Sequence, residues 1–366
     1  MNTDIRFPFY LKGSLLLVGF YVLISMLSIG QAIILPVIYA TILAILISPL
    51  VNYLERKKIN RGLAIASVLV LAIMIIGGIV FLVVSQANLL IEAMPELSEK
   101  LKSVLHQFAV WASGYFNVRV KEIDIWFANE KISFLKSGNF GIGSTMTTAG
   151  SVLATIFLTP VYIFMILFYQ PHLVIFIHKL FGTDNESNVS EILVETKVIV
   201  RGYLVGLFTE FVIISILNAL GLLFLGIEYA ILLGIVGALL NVIPYIGGLV
   251  AVVLFAAIAL LTKAPIYVVY VMSLYFIIQF VDNNYIVPKI VGSKVKLNAL
   301  ISILAVISGA ALWGIPGMFL SIPLMAIIKL IADRIEPIKP LGFLLGDTMP
   351  PLIDIKVKRP RAKASA

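Results

Sequence analysis

Cysteine is absent from this chain, which excludes disulfides, thiol catalysis and thiolate metal sites together. Histidine is nearly so: His106, His172 and His178 are the only three, too scattered to make a metal-ligand pair. Charge is scarce, at 13% of 366 residues against 61% hydrophobic. A soluble domain is about a quarter charged and about half apolar, so most of this chain is suited to lipid. Catalytic signatures are missing too: no Gly-x-Ser-x-Gly elbow, no His-Glu-x-x-His helix and no phosphate loop ending in Gly-Lys-Ser/Thr. The composition therefore points away from an enzyme or a nucleotide-driven pump, and it implies neither cofactor nor metal. The net charge of +8 sits in short loops and at the C-terminus. That is the positive-inside pattern of membrane proteins rather than the continuous basic face of a nucleic-acid binder.

What the chain has instead is a series of apolar runs. The first, 15–29, follows Arg6 and Lys12 but lacks a small-x-small cleavage site, so it reads as a retained span rather than a signal peptide. Spans are expected at about 13–29 and 32–50, turning near Gly30, and at about 63–87. The loop Glu55-Arg-Lys-Lys58 with Arg61 places their shared end in the cytoplasm. Gly77 and Gly78 in the third span read as a close-packing site. Residues 88–148 are the one large polar insertion. Within it Leu90, Met94, Leu97, Leu101, Val104, Phe108, Trp111 and Tyr115 recur at steps of three and four, one stripe of a helix roughly 40 Å long. Such a stripe either lies against its own domain or the membrane surface, or meets a neighbouring subunit as in a coiled coil. A fourth span is expected at about 150–170, an amphipathic helix at 184–200 and a fifth span at about 203–225.

The most informative stretch is Asn241-Val-Ile-Pro-Tyr-Ile-Gly-Gly248, with a second break at Trp313-Gly-Ile-Pro-Gly317. Helix breakers at membrane depth leave backbone groups that must be buried in protein or line a cavity, and discontinuous helices point to a transport site. Charge arithmetic agrees. The loop after span 265–281 carries Lys289, Lys294 and Lys296 against one acid, Asp282, so it is cytoplasmic only if residues 229–262 enter and return. The same holds for 298–333. The expected architecture is all-α: a polytopic transmembrane helical bundle with two hairpins, broken or re-entrant, and an extracytoplasmic helical insertion. Its divisions are a three-span segment 1–87, the insertion 88–148, a transport core 149–335 and a basic cytoplasmic tail 336–366.

From Arg201 onward the order of motifs resembles the autoinducer-2 exporter family. The residues that carry it are Arg201-Gly-Tyr-Leu with Gly206, Asn241-Val-Ile-Pro-Tyr-Ile-Gly247, Asp282-Asn-Asn-Tyr-Ile-Val-Pro288 with Gly292, Gly314-Ile-Pro-Gly-Met318 and Ile322-Pro323. The N-terminal half matches only in span layout. The resemblance implies export or ion-coupled movement of small solutes, sodium/proton antiport among them, and a homo-oligomeric assembly. One departure is that Leu207 stands where many relatives carry a polar residue, while Glu210 follows three positions later.

Glu210, inside an apolar run, is the sharpest candidate. An ionisable group at bilayer depth costs on the order of 2.5–3.5 kcal/mol even on permissive scales, which makes it a functional hypothesis by default. The alternative is a shallow Glu210 paired with Arg201 or Lys197. Asn218 is either a polar partner further along that helix or a helix–helix hydrogen bond. Asn241, Pro244, Tyr245, Gly247 and Gly248 can offer an amide, an unpaired carbonyl and close approach to a solute, or form a plain turn. Gln279, Asp282 and Asn283, with Asn284, end a span on one face, as a pathway mouth or as a helix cap. Gly206, Pro288, Gly292, Gly314, Pro316, Gly317 and Pro323 read as structural. The expectation is a transporter in the cell (inner) membrane with both termini cytoplasmic, moving a small polar solute or signalling molecule on an ion or proton gradient. A cation/proton antiporter or channel, and a non-transporting scaffold, are the alternatives. The implied partners are the lipid bilayer, the solute or ion, and further copies of the chain.

Overall fold

The computed structural model describes residues 8–116, 146–181, 186–243, 246–292 and 295–347. All regular elements among them are helical, apart from one bridge between Leu297 and Gly346. Helix α1 (Phe9–Ile29) turns at Gly30 into α2 (Gln31–Arg56), the pair expected from sequence. Side chains of α1 such as Leu16, Leu17 and Tyr21 stay largely exposed. That is normal for a helix whose solvent is lipid.

Helix α3 (Arg61–Phe116) runs unbroken for 56 residues, joining what the change in polarity divides at residue 87. Polarity alone does not end a helix, and Pro95 is its only internal proline. At about 1.5 Å per residue α3 reaches about 84 Å, far beyond the roughly 30 Å hydrocarbon core of a bilayer. Of its stripe, Leu97 is buried and Leu90 packs on the neighbouring core, whereas Met94 and Leu101 remain exposed. Gly77 and Gly78 are not a packing site in this chain, since a Cβ on either would meet nothing within 4 Å.

Helix α4 (Met146–Phe181) leads to α5 (Glu186–Phe224), which again unites an expected surface helix with an expected span. Gly226 and Tyr229, both at positive φ, turn the chain sharply into α6 (Ala230–Asn241), and α7 (Ile246–Thr262) returns beside it. The backbone at Gly247 lies so close to Leu240 that a Cβ there would overlap the Leu240 carbonyl, which only glycine avoids. With 12 residues, α6 spans about 18 Å, short of the roughly 30 Å hydrocarbon core of a bilayer.

Helix α8 (Ile266–Val281) continues as two π-helical segments, Asp282–Ile286 and Pro288–Gly292. Widened turns of this kind cluster at functional sites. Helix α9 (Ala299–Arg334) is broken at Gly314, φ 64° and ψ −141°. Residues eight apart in a continuous helix lie about 12 Å apart, yet the backbones of Gly309 and Gly317 touch. The chain therefore doubles back, as expected, in a second hairpin. Its tip is held by hydrogen bonds from Trp313 Nε1 to the Leu27 carbonyl (3.0 Å) and from the Tyr39 hydroxyl to the Pro316 carbonyl (3.2 Å). A short helix, α10 (Lys339–Leu345), packs back on α9, where Asn298 caps α9 and donates to the Leu344 carbonyl.

Among the described residues, six helices are long and apolar enough to cross a membrane. Among the described residues four apolar cores organise them: one among α2, α3 and α4, one around Phe255 between α5, α6, α7 and α8, one joining α2, α5, the second π-helical segment and α9, and a small one of Ile214, Ala238 and Ile278 between α5, α6 and α8.

Candidate functional site

The first hairpin ends on a cluster of polar side chains buried between α5 and α8. Asn241, the last residue of α6, donates from Nδ2 to Asp282 Oδ2 at 2.8 Å and lies 3.4 Å from Glu210 Oε1. Its Oδ1 accepts from Gln279 Nε2 at 2.9 Å. The Tyr275 hydroxyl donates to the Gly248 carbonyl at 2.7 Å, so both sides of the hairpin tip are tied to α8. Tyr275, Gln279 and Asp282 stand at i, i+4 and i+7, one helical face. The π-helical turn begins at Asp282 itself. It sets that carboxylate beside the amide.

Burial is deep for groups that carry charge. Asp282 is 1% exposed and Glu210 8%, and Asp282 Oδ1 has no hydrogen-bond partner among the described residues. Such atoms are rare in folded proteins and call for an explanation. The cluster opens into a cavity of about 590 Å³ whose polar lining includes Glu210, Asn241, Gln279, Asp282 and Asn283. Among the described residues, no Lys, Arg or His lines it. Arg201 and Lys197 do not neutralise Glu210; the carboxylate faces Asn241 and Asp282 instead.

Asn218 is buried at 2% exposure but is not part of the cavity lining, and its Oδ1 has no partner. It lies in the stretch of α5 where Gly234 of α6 approaches Ser215 and Ala219. Asn284 turns back to donate to the Phe280 carbonyl at 2.8 Å. Pro244 and Tyr245 fall outside the described residues. The structural glycines divide. A Cβ on Gly206 would come within 2.8 Å of the Ile290 carbonyl, and Gly317 packs on Gly309, while Gly292 has only the Val287 carbonyl near it, 3.6 Å from such a Cβ. Gly314 has the backbone that favours glycine, Pro316 accepts from Tyr39, and Pro323 is buried.

Sequence reasoning missed Tyr203 and Tyr275, both in the cavity wall, and Gly309 and Ser321, which close the second hairpin. Tyr275 carried a usable signal, four residues before Gln279 and seven before Asp282. Gly309 carried none, because its partner is set by the fold.

Six long apolar helices, two folded-back hairpins and a buried acidic cavity define a polytopic helical membrane protein built around an internal polar site. Residues 14–336 match the model of the AI-2E family transporter group, and the chain belongs to that family. It is 26% identical to the Bacillus subtilis protein named "Putative transport protein YueF", with 80% of this chain and 82% of that one covered. It is 24% identical to "AI-2 transport protein TqsA" of Escherichia coli, covering 86% and 90%. A further relative is "Putative transport protein YhhT" of Escherichia coli, 22% identical over 91% and 94%. Family and fold together make this a membrane transporter.

Proposed function

We propose that the chain is a secondary transporter that moves a small polar solute out of the cell, coupled to a proton or a monovalent cation at the Glu210–Asn241–Asp282 cluster. The supporting observation is two buried carboxylates on either side of one amide, in a cavity whose described lining carries no cationic side chain. Two neighbouring carboxylates in a low-dielectric site do not both ionise without compensation. A proton or a bound cation provides it, and its arrival or departure changes what the hairpin tip can hold. The other titratable groups facing the pair are Tyr203 and Tyr275. A cavity of about 590 Å³ falls within the usual range for small-molecule sites, about 300–1,000 Å³. A signalling molecule of the kind named in TqsA is one solute class of suitable size. Cation/proton antiport is the second reading, favoured by the acidic and amide groups that make up the described polar wall.

On this reading both termini and the loop bearing Lys289 and Lys296 face the cytoplasm. Copies of the chain associate through the exposed faces of α1 and the Met94–Leu101 side of α3. The test is Glu210→Gln in proteoliposomes carrying a pH gradient. Flux of the solute, or of sodium in the antiport reading, loses its dependence on the gradient while assembly is retained. A mutant that transports like the wild type across the pH range removes Glu210 from the mechanism.

A further inference from the structure

A second cavity, of about 510 Å³, lies one helical turn away from the first, and its polar wall carries Glu195, Lys296, Lys329 and Asp333. Each of three elements lines both. From α5, Tyr203 lines the first and Ile199 the second. From the segment after α8, Val291 lines the first and Val295 the second. From α9, Ile322 lines the first and Ala326 the second. On α5 and α9 the step is four residues of helix, so along these two walls the cavities are separated by a layer about one turn, or about 6 Å, thick. That layer is apolar and closed: Val291, Val295 and Ala326 are buried members of one packed cluster with Leu204 and Leu320.

Resting on the transport reading above, we propose that the second cavity is the other chamber of the same route, with the Val291–Val295–Ala326 layer as its closed gate. The two chambers differ in chemistry. The described lining of the first has carboxylates and amides without a cation, whereas the second holds charges of both signs, with Lys329 Nζ 2.5 Å from Asp333 Oδ2 and Arg334 bound to Glu191 and Glu195 beside it. A hydrophilic solute or hydrated ion is stable in either chamber, and the apolar turn between them stops it by desolvation.

The layer is also built to shift. Val291 belongs to a π-helical segment, Pro288–Gly292, a rare kind of turn that recurs at functional sites. Gly206 lets the backbone of that segment rest directly on α5, at the Ile290 carbonyl. A smooth backbone contact lets the segment move without side-chain interlock. The small side chain at Ala326 leaves little to displace on the opposite wall.

Because the chain has no cysteine, single reporters can be introduced without a prior cysteine-free background. Val252→Cys reports on the first chamber and Lys296→Cys on the second. A membrane-impermeant cationic methanethiosulfonate reagent is applied to reconstituted protein from the side that labels Lys296→Cys. In the otherwise unchanged chain, Val252→Cys reacts at least tenfold more slowly than Lys296→Cys. Adding Val291→Ser raises the Val252→Cys rate at least tenfold and leaves that of Lys296→Cys unchanged. Adding Ala326→Leu, which thickens the layer, does not raise it. Equal rates at the two reporters, a Val252→Cys rate insensitive to Val291→Ser, or a parallel rise at both positions overturns the gate. Labelling needs no substrate, so the gate fails on these rates alone, while the transport reading fails on the Glu210→Gln flux assay.

Discussion

Replacing Asn241 with leucine removes the amide at the centre of the polar cluster while keeping the same branched heavy-atom skeleton. Two strong contacts disappear: the donation to Asp282 at 2.8 Å and the acceptance from Gln279 at 2.9 Å. The 3.4 Å approach to Glu210 is too long to add much. Hydrogen bonds to charged groups are worth about 1.5–3 kcal/mol in water-soluble proteins. Interhelical ones in membranes average about 0.6 and reach about 1.7 kcal/mol, because unfolded helices in a bilayer also find partners. Asp282 is 1% exposed and its other oxygen already lacks a partner, so the upper membrane figure applies to its bond and the mean to the neutral Gln279 bond. Asn241→Leu should therefore cost about 2 kcal/mol in reversible unfolding by SDS in mixed micelles. A double-mutant cycle with Asp282→Ala isolates the pair. Its coupling should be about 1.5 kcal/mol, and Asn241→Leu in the Asp282→Ala background should cost only about 0.6 kcal/mol, on the same membrane scale. Coupling below about 0.5 kcal/mol, the size of ordinary non-additivity, would refute the view that this amide holds Asp282.

Gly317→Val should cost about 1–3 kcal/mol or abolish folded yield, because its backbone touches Gly309 and overpacking cannot relax there. Gly78→Ala, where a Cβ meets nothing, should be neutral or slightly stabilising by helix propensity; equal losses at the two sites would contradict the second hairpin. Trp313→Phe keeps an aromatic ring but loses the bond to the Leu27 carbonyl, for a loss of about 1 kcal/mol by the membrane scale. An unfolding midpoint identical to wild type would show that the hairpin tip is not anchored on α1. Arg334→Ala should leave the unfolding midpoint nearly unchanged, since its pairs with Glu191 and Glu195 are partly exposed and screened, and a large, salt-insensitive loss of stability would contradict that.

Local chemistry made much of the fold legible. The apolar runs gave the spans, Gly30 the first turn, and the breakers at 244–248 and 314–317 both hairpins, since helix period and helix breaking are short-range properties. Helix ends were less legible. Polarity changes near residues 87 and 200 suggested boundaries where α3 and α5 run on, because a helix crossing from lipid to water needs no break. Gly77 and Gly78 misled in the same way, since small residues permit close packing without causing it.

By itself, the sequence determined the solvent of this protein, the number and position of its kinks, and which polar residues lie inside apolar runs. Only the tertiary structure decided which of those residues meet. Glu210, Asn241 and Asp282 come together across separations of 31 and 41 residues, while Asn218 and Asn284, equally polar on paper, stay outside the cavity. The physical reason is that register along a helix is local, whereas the facing of one helix to another depends on the packing of all of them, down to contacts as specific as Gly206 on Ile290 and Gly309 on Gly317.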